Sequence, residues 1–131
     1  MEHGVVHFDI PASDPEKLTK FYTDLFGWQI MKFPMPGGDY WMAMTTPVDA
    51  NQMPTTPGAI NGGFYQRQTP EDRPMNYVNV ESVDEYLAKA TSLGAKVIMA
   101  KMPIPTIGWS AIVLDPENNA VGLFQTDPSA A

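Results

Sequence analysis

Residues able to handle protons or contact a ligand occur at matched positions in the two halves of the chain. His7 opens the segment His-Phe-Asp-Ile, and Tyr77 opens the similar segment Tyr-Val-Asn-Val. Gln66 ends the segment Gly-Phe-Tyr-Gln, as Gln125 ends Gly-Leu-Phe-Gln. An imidazole can act as acid or base near neutral pH, while phenols and carboxamides donate and accept hydrogen bonds. The repeat therefore predicts a site that combines these four side chains, with His7 and Tyr77 as candidate catalytic residues.

Each of the four residues also has a simpler interpretation. His7 acts as an acid, a base or a ligand contact, or it merely lines a cleft while bonded to Gln125 or Tyr77. Tyr77 closes the cleft as an aromatic ring, donates a proton, or does both. Gln66 and Gln125 contribute to the site, or they satisfy each other's amides and tie the two halves together.

Further candidates are polar side chains beside those four and aromatic side chains that could wall a cleft. Asp9 follows His7 by two residues and so shares its face of a strand. Trp41 and Trp109 follow glycine-containing turns, where they are either cleft walls or core. The nine methionines could give an adaptable lining or fill the core. The predicted ligand-binding residues are Asp9, Trp41, Phe64, Gln66, Asn79, Trp109 and Gln125.

Hydrophobic spacing predicts the elements that position these residues. Alternation from Val5 to Ile10 predicts a strand with one apolar face and one face that carries His7 and Asp9. A Ser-x-x-Glu pattern at Ser13 and again at Ser82 predicts the start of a helix. Glycine after each apolar helical run predicts its end, and short apolar runs separated by turns predict three strands after each helix. The predicted element order is βαβββ, repeated once.

Length and composition restrict the class of protein. A chain of 131 residues suits one domain whose two repeats share a core. The absence of cysteine excludes disulfides and thiolate chemistry. A net charge of −7 with only eight Lys and Arg argues against a nucleic-acid partner. No stretch predicts a signal segment or a membrane span, so we expect a cytoplasmic protein without a membrane partner.

With its duplicated βαβββ order and its opening segment His7-Phe-Asp-Ile-Pro11, the chain resembles the vicinal oxygen chelate superfamily of glyoxalases, bleomycin resistance proteins and extradiol dioxygenases. The resemblance covers nearly the whole chain. It implies an α+β fold in which two βαβββ modules, residues 1–68 and 74–126 of a single domain 1–131, form an incomplete barrel around a cleft. It also implies a homodimer. The most specific segments are His7-Phe-Asp-Ile-Pro11, Leu25-Phe-Gly-Trp28, Leu93-Gly-Ala-Lys-Val97, Asp115-Pro-Glu-Asn-Asn119 and Gly122-Leu-Phe124.

In metal-dependent members of that superfamily, side chains from the four paired positions hold one divalent metal. Among the residues found here, only His7 is a strong ligand. Asp9 is the nearest carboxylate that could substitute, whereas His3 would lie roughly 13 Å away along a strand. These ligand types therefore predict that no cofactor is bound, against the usual expectation for the superfamily. If Zn, Ni, Mn or Fe does bind, the ligands that the resemblance implies are His7, Gln66 and Gln125.

Two functions follow from the resemblance. The first is a glyoxalase- or bleomycin-resistance-like protein that binds a small organic molecule in an aromatic and methionine-lined cleft without the full metal-ligand set. The alternative is a metal-dependent lyase, isomerase or dioxygenase of the glyoxalase type. Whether the protein is an enzyme and which molecule it binds stay open at this point.

Overall fold

Two copies of a βαβββ unit make up the chain. The structure, a computed structural model, describes residues 2–35 and 37–131. The elements in chain order are β1 (Val5–Ala12), α1 (Pro15–Phe26), β2 (Gln29–Met35), β3 (Gly38–Met44), β4 (Asn61–Gln66), β5 (Met75–Asn79), α2 (Val83–Ser92), β6 (Lys96–Ile104), β7 (Gly108–Leu114) and β8 (Ala120–Thr126).

The chain divides into two compact units. His7–Pro74 form the first module, and Met75–Ala131 with residues 2–6 form the second. In the first module the strand order is β2-β3-β4-β1, with β1 parallel to β4. In the second module the order is β5-β8-β7-β6, with β5 parallel to β8. The predicted α+β fold of two βαβββ modules is confirmed.

The helix ends depend on local side-chain chemistry. Ser82 caps α2 as predicted, since its hydroxyl accepts the Glu85 backbone N–H at 3.2 Å. The cap of α1 lies one residue later than predicted, because the carboxylate of Asp14 accepts the Lys17 N–H at 3.1 Å. Pro15 explains the shift: its fixed φ suits the first helical position, so the residue before it becomes the cap. Gly27 ends α1 with a φ of 75°, where a side chain would be strained.

Each module has a buried hydrophobic cluster of its own. In the first module, Phe64 is 0% exposed and packs with Trp41 and Ala43 against the apolar side of α1. In the second module, Val80, Val83, Ala111 and Leu123 pack against α2. Each helix therefore covers one face of its sheet and leaves the other face to different residues.

No helix in the described ranges, 2–35 and 37–131, has the length and apolar content needed to cross a bilayer.

Removal of the fully buried ring of Phe64 should destabilise the protein much more than removal of an exposed ring. We expect Phe64→Ala to lower the free energy of unfolding by about 3–5 kcal/mol, because it leaves a cavity under α1. Phe21 is 55% exposed in the same module, so Phe21→Ala should cost about 1 kcal/mol or less. Urea unfolding of both variants measures the difference; equal losses would contradict the assignment of Phe64 to the core.

Candidate functional site

The alternation of β1 separates its polar and apolar side chains. Phe8 and Ile10 pack with the cluster under α1. His7 and Asp9 therefore point to the opposite face of the sheet, as predicted. We call this the His7 face: the side of the β2-β3-β4-β1 sheet that α1 does not cover.

A third residue, Tyr40, completes a hydrogen-bonded cluster on the His7 face. The Tyr40 hydroxyl donates to Asp9 Oδ1 at 2.5 Å and lies 2.6 Å from His7 Nε2. His7 Nε2 is also 3.2 Å from Asp9 Oδ1. The side chain of Asp9 is only 10% exposed, whereas that of His7 is 30% exposed. In this cluster the imidazole of His7 is partly exposed and is held by the mostly buried carboxylate of Asp9 and the phenol of Tyr40.

The cluster fixes the position of its hydrogens. The phenol of Tyr40 has one hydrogen, and the 2.5 Å contact with a carboxylate oxygen requires a donor between them. The oxygen of Tyr40 is then an acceptor toward His7, so we assign the hydrogen of neutral His7 to Nε2. The lone pair of the ring consequently lies on Nδ1.

Gly63 provides the space for Tyr40. It is the register partner of Asp9 on β4, and a Cβ built on Gly63 would lie 2.1 Å from the Tyr40 hydroxyl oxygen. No side chain larger than hydrogen fits there while Tyr40 keeps its place. Sequence reasoning missed Tyr40, and the available signal was Gly62-Gly63 inside a strand, which indicates a close approach by another group.

Tyr65 lies beside Tyr40 on the same face, since the two are register partners on β4 and β3. Burial, followed by the negative charges of Asp72 and Asp9, raises the pKa of the Tyr65 phenol above its usual range. Tyr65 therefore keeps its hydrogen at neutral pH and adds a second neutral hydroxyl to this face.

The two predicted glutamines hold helix N-termini. Gln66 shares the helix side of β4 with Phe64, and its Nε2 donates to the Ser13 carbonyl at 3.2 Å, just before α1. Gln125 Oε1 accepts the N–H of Val83, the first residue of α2, at 2.9 Å. Gln66 is thus on the opposite face of the sheet from His7, and the two cannot share an ion. Two members of the implied metal set, His7 and Gln66, are therefore separated within the first module, and the place of Gln125 in such a set stays a prediction.

The predicted aromatic walls pack on the helix side of their modules. Trp41 is 8% exposed, and its Nε1 donates to Glu16 Oε1 at 3.3 Å. Trp109 packs against the cluster under α2, and its Nε1 donates to Asp127 Oδ2 at 2.9 Å. With Phe64 fully buried, these three rings pack on the helix side of their modules, and the ligand-binding roles predicted for them stay predictions.

Tyr77 and Asn79 lie on the side of β5 that faces away from α2. The ring of Tyr77 covers Gly122, where a Cβ would lie 2.3 Å from the ring. The backbone of Asn79 donates to the Gly4 carbonyl at 3.0 Å and accepts from His3 Nδ1 at 2.9 Å. Nε2 of His3 is 2.9 Å from the Tyr86 hydroxyl. His3 therefore fastens the residues before His7 to the second module, and the roles predicted for Tyr77 and Asn79 stay predictions.

The donor atoms near His7 do not suit a divalent metal. They are one imidazole, one carboxylate and a phenol that would first have to lose its hydrogen. The Tyr40 hydroxyl lies 2.5 Å from Asp9 Oδ1 and 2.6 Å from His7 Nε2. These are hydrogen-bond distances, shorter than the separation of about 3 Å or more between two ligands that stand 2.0–2.2 Å from one ion. Within residues 2–35 and 37–131, no three His, Asp or Glu side chains form a group that could hold an ion.

Neutral His7 and His3 should carry their hydrogens on different ring nitrogens. His3 Nδ1 faces a carbonyl, which only accepts, so its hydrogen lies on Nδ1; that of His7 lies on Nε2. Long-range ¹⁵N–¹H NMR, recorded at increasing pH until the ring signals stop shifting, reports the tautomers of both neutral rings. The chain has two histidines, so the His3→Gln spectrum assigns the signals. A hydrogen on Nδ1 of His7 would contradict the cluster described above.

A side chain at position 63 should displace Tyr40. We expect Gly63→Ala to shift the His7 ring resonances and to lower the free energy of unfolding by about 1–3 kcal/mol, because the methyl group overlaps the phenol. Gly4→Ala is the matched control, since a Cβ there meets nothing within 4 Å. Unchanged His7 resonances in Gly63→Ala would show that Tyr40 does not depend on this space.

Comparison with known sequences gives a consistent family. The family described as Glyoxalase/Bleomycin resistance protein/Dioxygenase superfamily matches residues 4–123. Proteins of Mycobacterium bovis and Mycobacterium tuberculosis, both named as glyoxylase CFP32, are 33% identical over 125 residues, covering 91% of this chain and 44% of theirs. A Didymella fabae protein named as glyoxylase-like domain-containing is 32% identical over 99 residues, covering 72% of this chain and 71% of its own. The chain thus spans less than half the length of the mycobacterial relatives.

Solved structures share the fold. A hypothetical protein from Bacillus halodurans superposes with a TM-score of 0.65 at 12% identity, covering 100% of this chain and 99% of the other. Methylmalonyl-CoA epimerase from Mycobacterium tuberculosis gives a TM-score of 0.65 at 13% identity, covering 95% and 89%. At these identities the likeness concerns the fold alone, while the sequence match extends over most of the chain. The chain belongs to the Glyoxalase/Bleomycin resistance protein/Dioxygenase superfamily.

Proposed function

We propose that this protein binds a small organic molecule on the His7 face of its first module and needs no resident metal to do so. The observation that supports the proposal is the cluster of His7, Asp9 and Tyr40, in which a mostly buried carboxylate holds a phenol and a partly exposed imidazole. Such a small group of positioned polar atoms beside apolar side chains is typical of ligand sites.

Membership of the superfamily supports the same proposal at a coarser level, because its description includes both enzymes and drug-resistance proteins. The relatives named as glyoxylases favour an enzyme. The donor set near His7 favours ligand capture, or proton transfer by the imidazole, over chemistry at a metal. We therefore place binding first and leave turnover to the experiment.

The first test is binding in the presence of a metal chelator. A panel of small aromatic and aliphatic molecules is screened by thermal shift, and hits are measured by calorimetry. We expect a saturable hit whose affinity falls about two- to tenfold in Tyr40→Phe, since one neutral hydrogen bond is lost. Tyr86→Phe is the matched control, because that hydroxyl also contacts a histidine, His3, outside the site.

Two outcomes would contradict the proposal. The first is affinity that falls equally in Tyr40→Phe and Tyr86→Phe, which would place the ligand elsewhere. The second is one tightly bound metal per chain in elemental analysis that disappears in His7→Ala, with ligand binding abolished by chelator. That result would favour the metal-dependent lyase, isomerase or dioxygenase instead.

Two further expectations belong to this proposal. We infer a homodimer because members of the superfamily often form dimers, and sedimentation of the purified protein tests this inference. We infer a cytoplasmic location from the absence of cysteine. Neither inference affects the chemistry of the His7 face.

A further inference from the structure

The carboxylate of Asp9 uses only one of its two oxygens within the cluster. Both the Tyr40 hydroxyl and His7 Nε2 contact Oδ1, at 2.5 and 3.2 Å. For Oδ2 the described residues provide no hydrogen-bond partner, although Asp9 is 7% exposed. The fully buried polar atom without a partner in those residues is Thr19 Oγ1, so Oδ2 of Asp9 keeps some solvent exposure. A mostly buried residue thus offers one unused acceptor to a ligand.

The charge of Asp9 has little compensation. Its basic neighbour within the described chain is His7, which carries no charge when neutral, and no lysine or arginine there pairs with it. Arg67, which acts on neighbouring Tyr65, donates instead to the Asp72 carbonyl at 2.7 Å. A largely desolvated carboxylate that is held by neutral donors is stabilised further by a cation. The net charge of −7 adds to the attraction for positive molecules.

An apolar shelf lies beside this acceptor. Asp9, Gly63, Met42 and Met31 are successive register partners across β1, β4, β3 and β2, so they form one row on the His7 face. Phe33 lies next to Met31 on that face as the partner of Tyr40. Met31 and Phe33 are 57% and 42% exposed, so the apolar end of the row is accessible. Met42 lies two strand spacings from Asp9, roughly 10 Å. The Tyr40 phenol crosses the row above Gly63, so a substituted ring that reaches both residues lies on top of that phenol.

From this row we infer that the site selects small organic amines in their protonated form, with the ammonium group on Asp9 Oδ2 and the apolar body on Met42, Met31 and Phe33. The inference rests on the proposed function and adds a ligand class to it. An ammonium donates to the unused oxygen and offsets the charge of the carboxylate. Methionine and aromatic side chains accommodate varied apolar bodies, and the aromatic face also attracts cations.

Three probes of one shape test the ligand class. They are 4-methylbenzylamine, 4-methylbenzyl alcohol and 4-methylbenzoate, which present a cation, a neutral donor and an anion on the same ring. Calorimetry at a pH of about 8 keeps the amine protonated and the benzoate ionised. We expect the amine to bind at least about tenfold tighter than the alcohol, since charge-assisted hydrogen bonds are roughly twice as strong as neutral ones. The benzoate should bind weakest.

Paired variants locate the cation. Asp9→Asn keeps the shape of the side chain and should weaken amine binding about tenfold or more while changing alcohol binding little. Asp24→Asn removes the same charge from an exposed position on α1, so amine binding should stay within about twofold.

The outcomes separate this inference from the proposed function. Equal amine affinity in Asp9→Asn and Asp24→Asn overturns the inference. Benzoate as the tightest probe, with affinity lost in Tyr40→Phe but not in Tyr86→Phe, overturns the ligand class and leaves the His7 face as the site. Saturable binding of no probe, together with no Tyr40-dependent hit in the panel, overturns both.

Discussion

The space above Gly63 is the constraint on which the His7 site depends. Asp9 must lie on the side of β1 away from α1, because Phe8 and Ile10 fill the helix side. A carboxylate that is 7% exposed needs donors. Tyr40 supplies one by passing over its neighbouring strand, and only the missing side chain at Gly63 permits the passage. A glycine that weakens β4 as a strand is thereby explained by the polar cluster it admits.

The two copies of the repeat share packing contacts more than they share chemically active side chains. In each module a lysine of one strand lies over a tryptophan of the next: Lys32 is 5.7 Å from the Trp41 ring centroid, and Lys101 is 4.5 Å from that of Trp109. Each indole N–H also donates to a carboxylate. These pairs cover the helix-side cores, so equivalent positions in the two copies report shared packing.

The sequence predicted the features of the site that depend on a single strand and missed those that depend on how strands pair. Alternation along β1 correctly placed His7 and Asp9 on one face, because that rule involves a single strand. Gln66 was misplaced because the repeat identifies equivalent residues without saying which face they occupy; it lies three residues after Gly63, an odd offset that reverses the face. Tyr40 was missed because its reach depends on the register of β3 against β4, which no local pattern specifies.

The differences between the copies locate the chemistry better than their similarities do. Where β1 carries His7 and Asp9, β5 carries the neutral pair Tyr77 and Asn79. If Trp41 and Trp109 are matched, the position of Tyr40 is taken by Gly108, and a Cβ there would lie 2.0 Å from a backbone oxygen. The second module thus has no phenol on that strand to cross toward Gly122. Its own Tyr77 ring fills the gap instead. The first module thus has ionisable groups, His7 and Asp9, where the second has the aromatic ring of Tyr77. For this reason we place the polar end of a ligand in the first module.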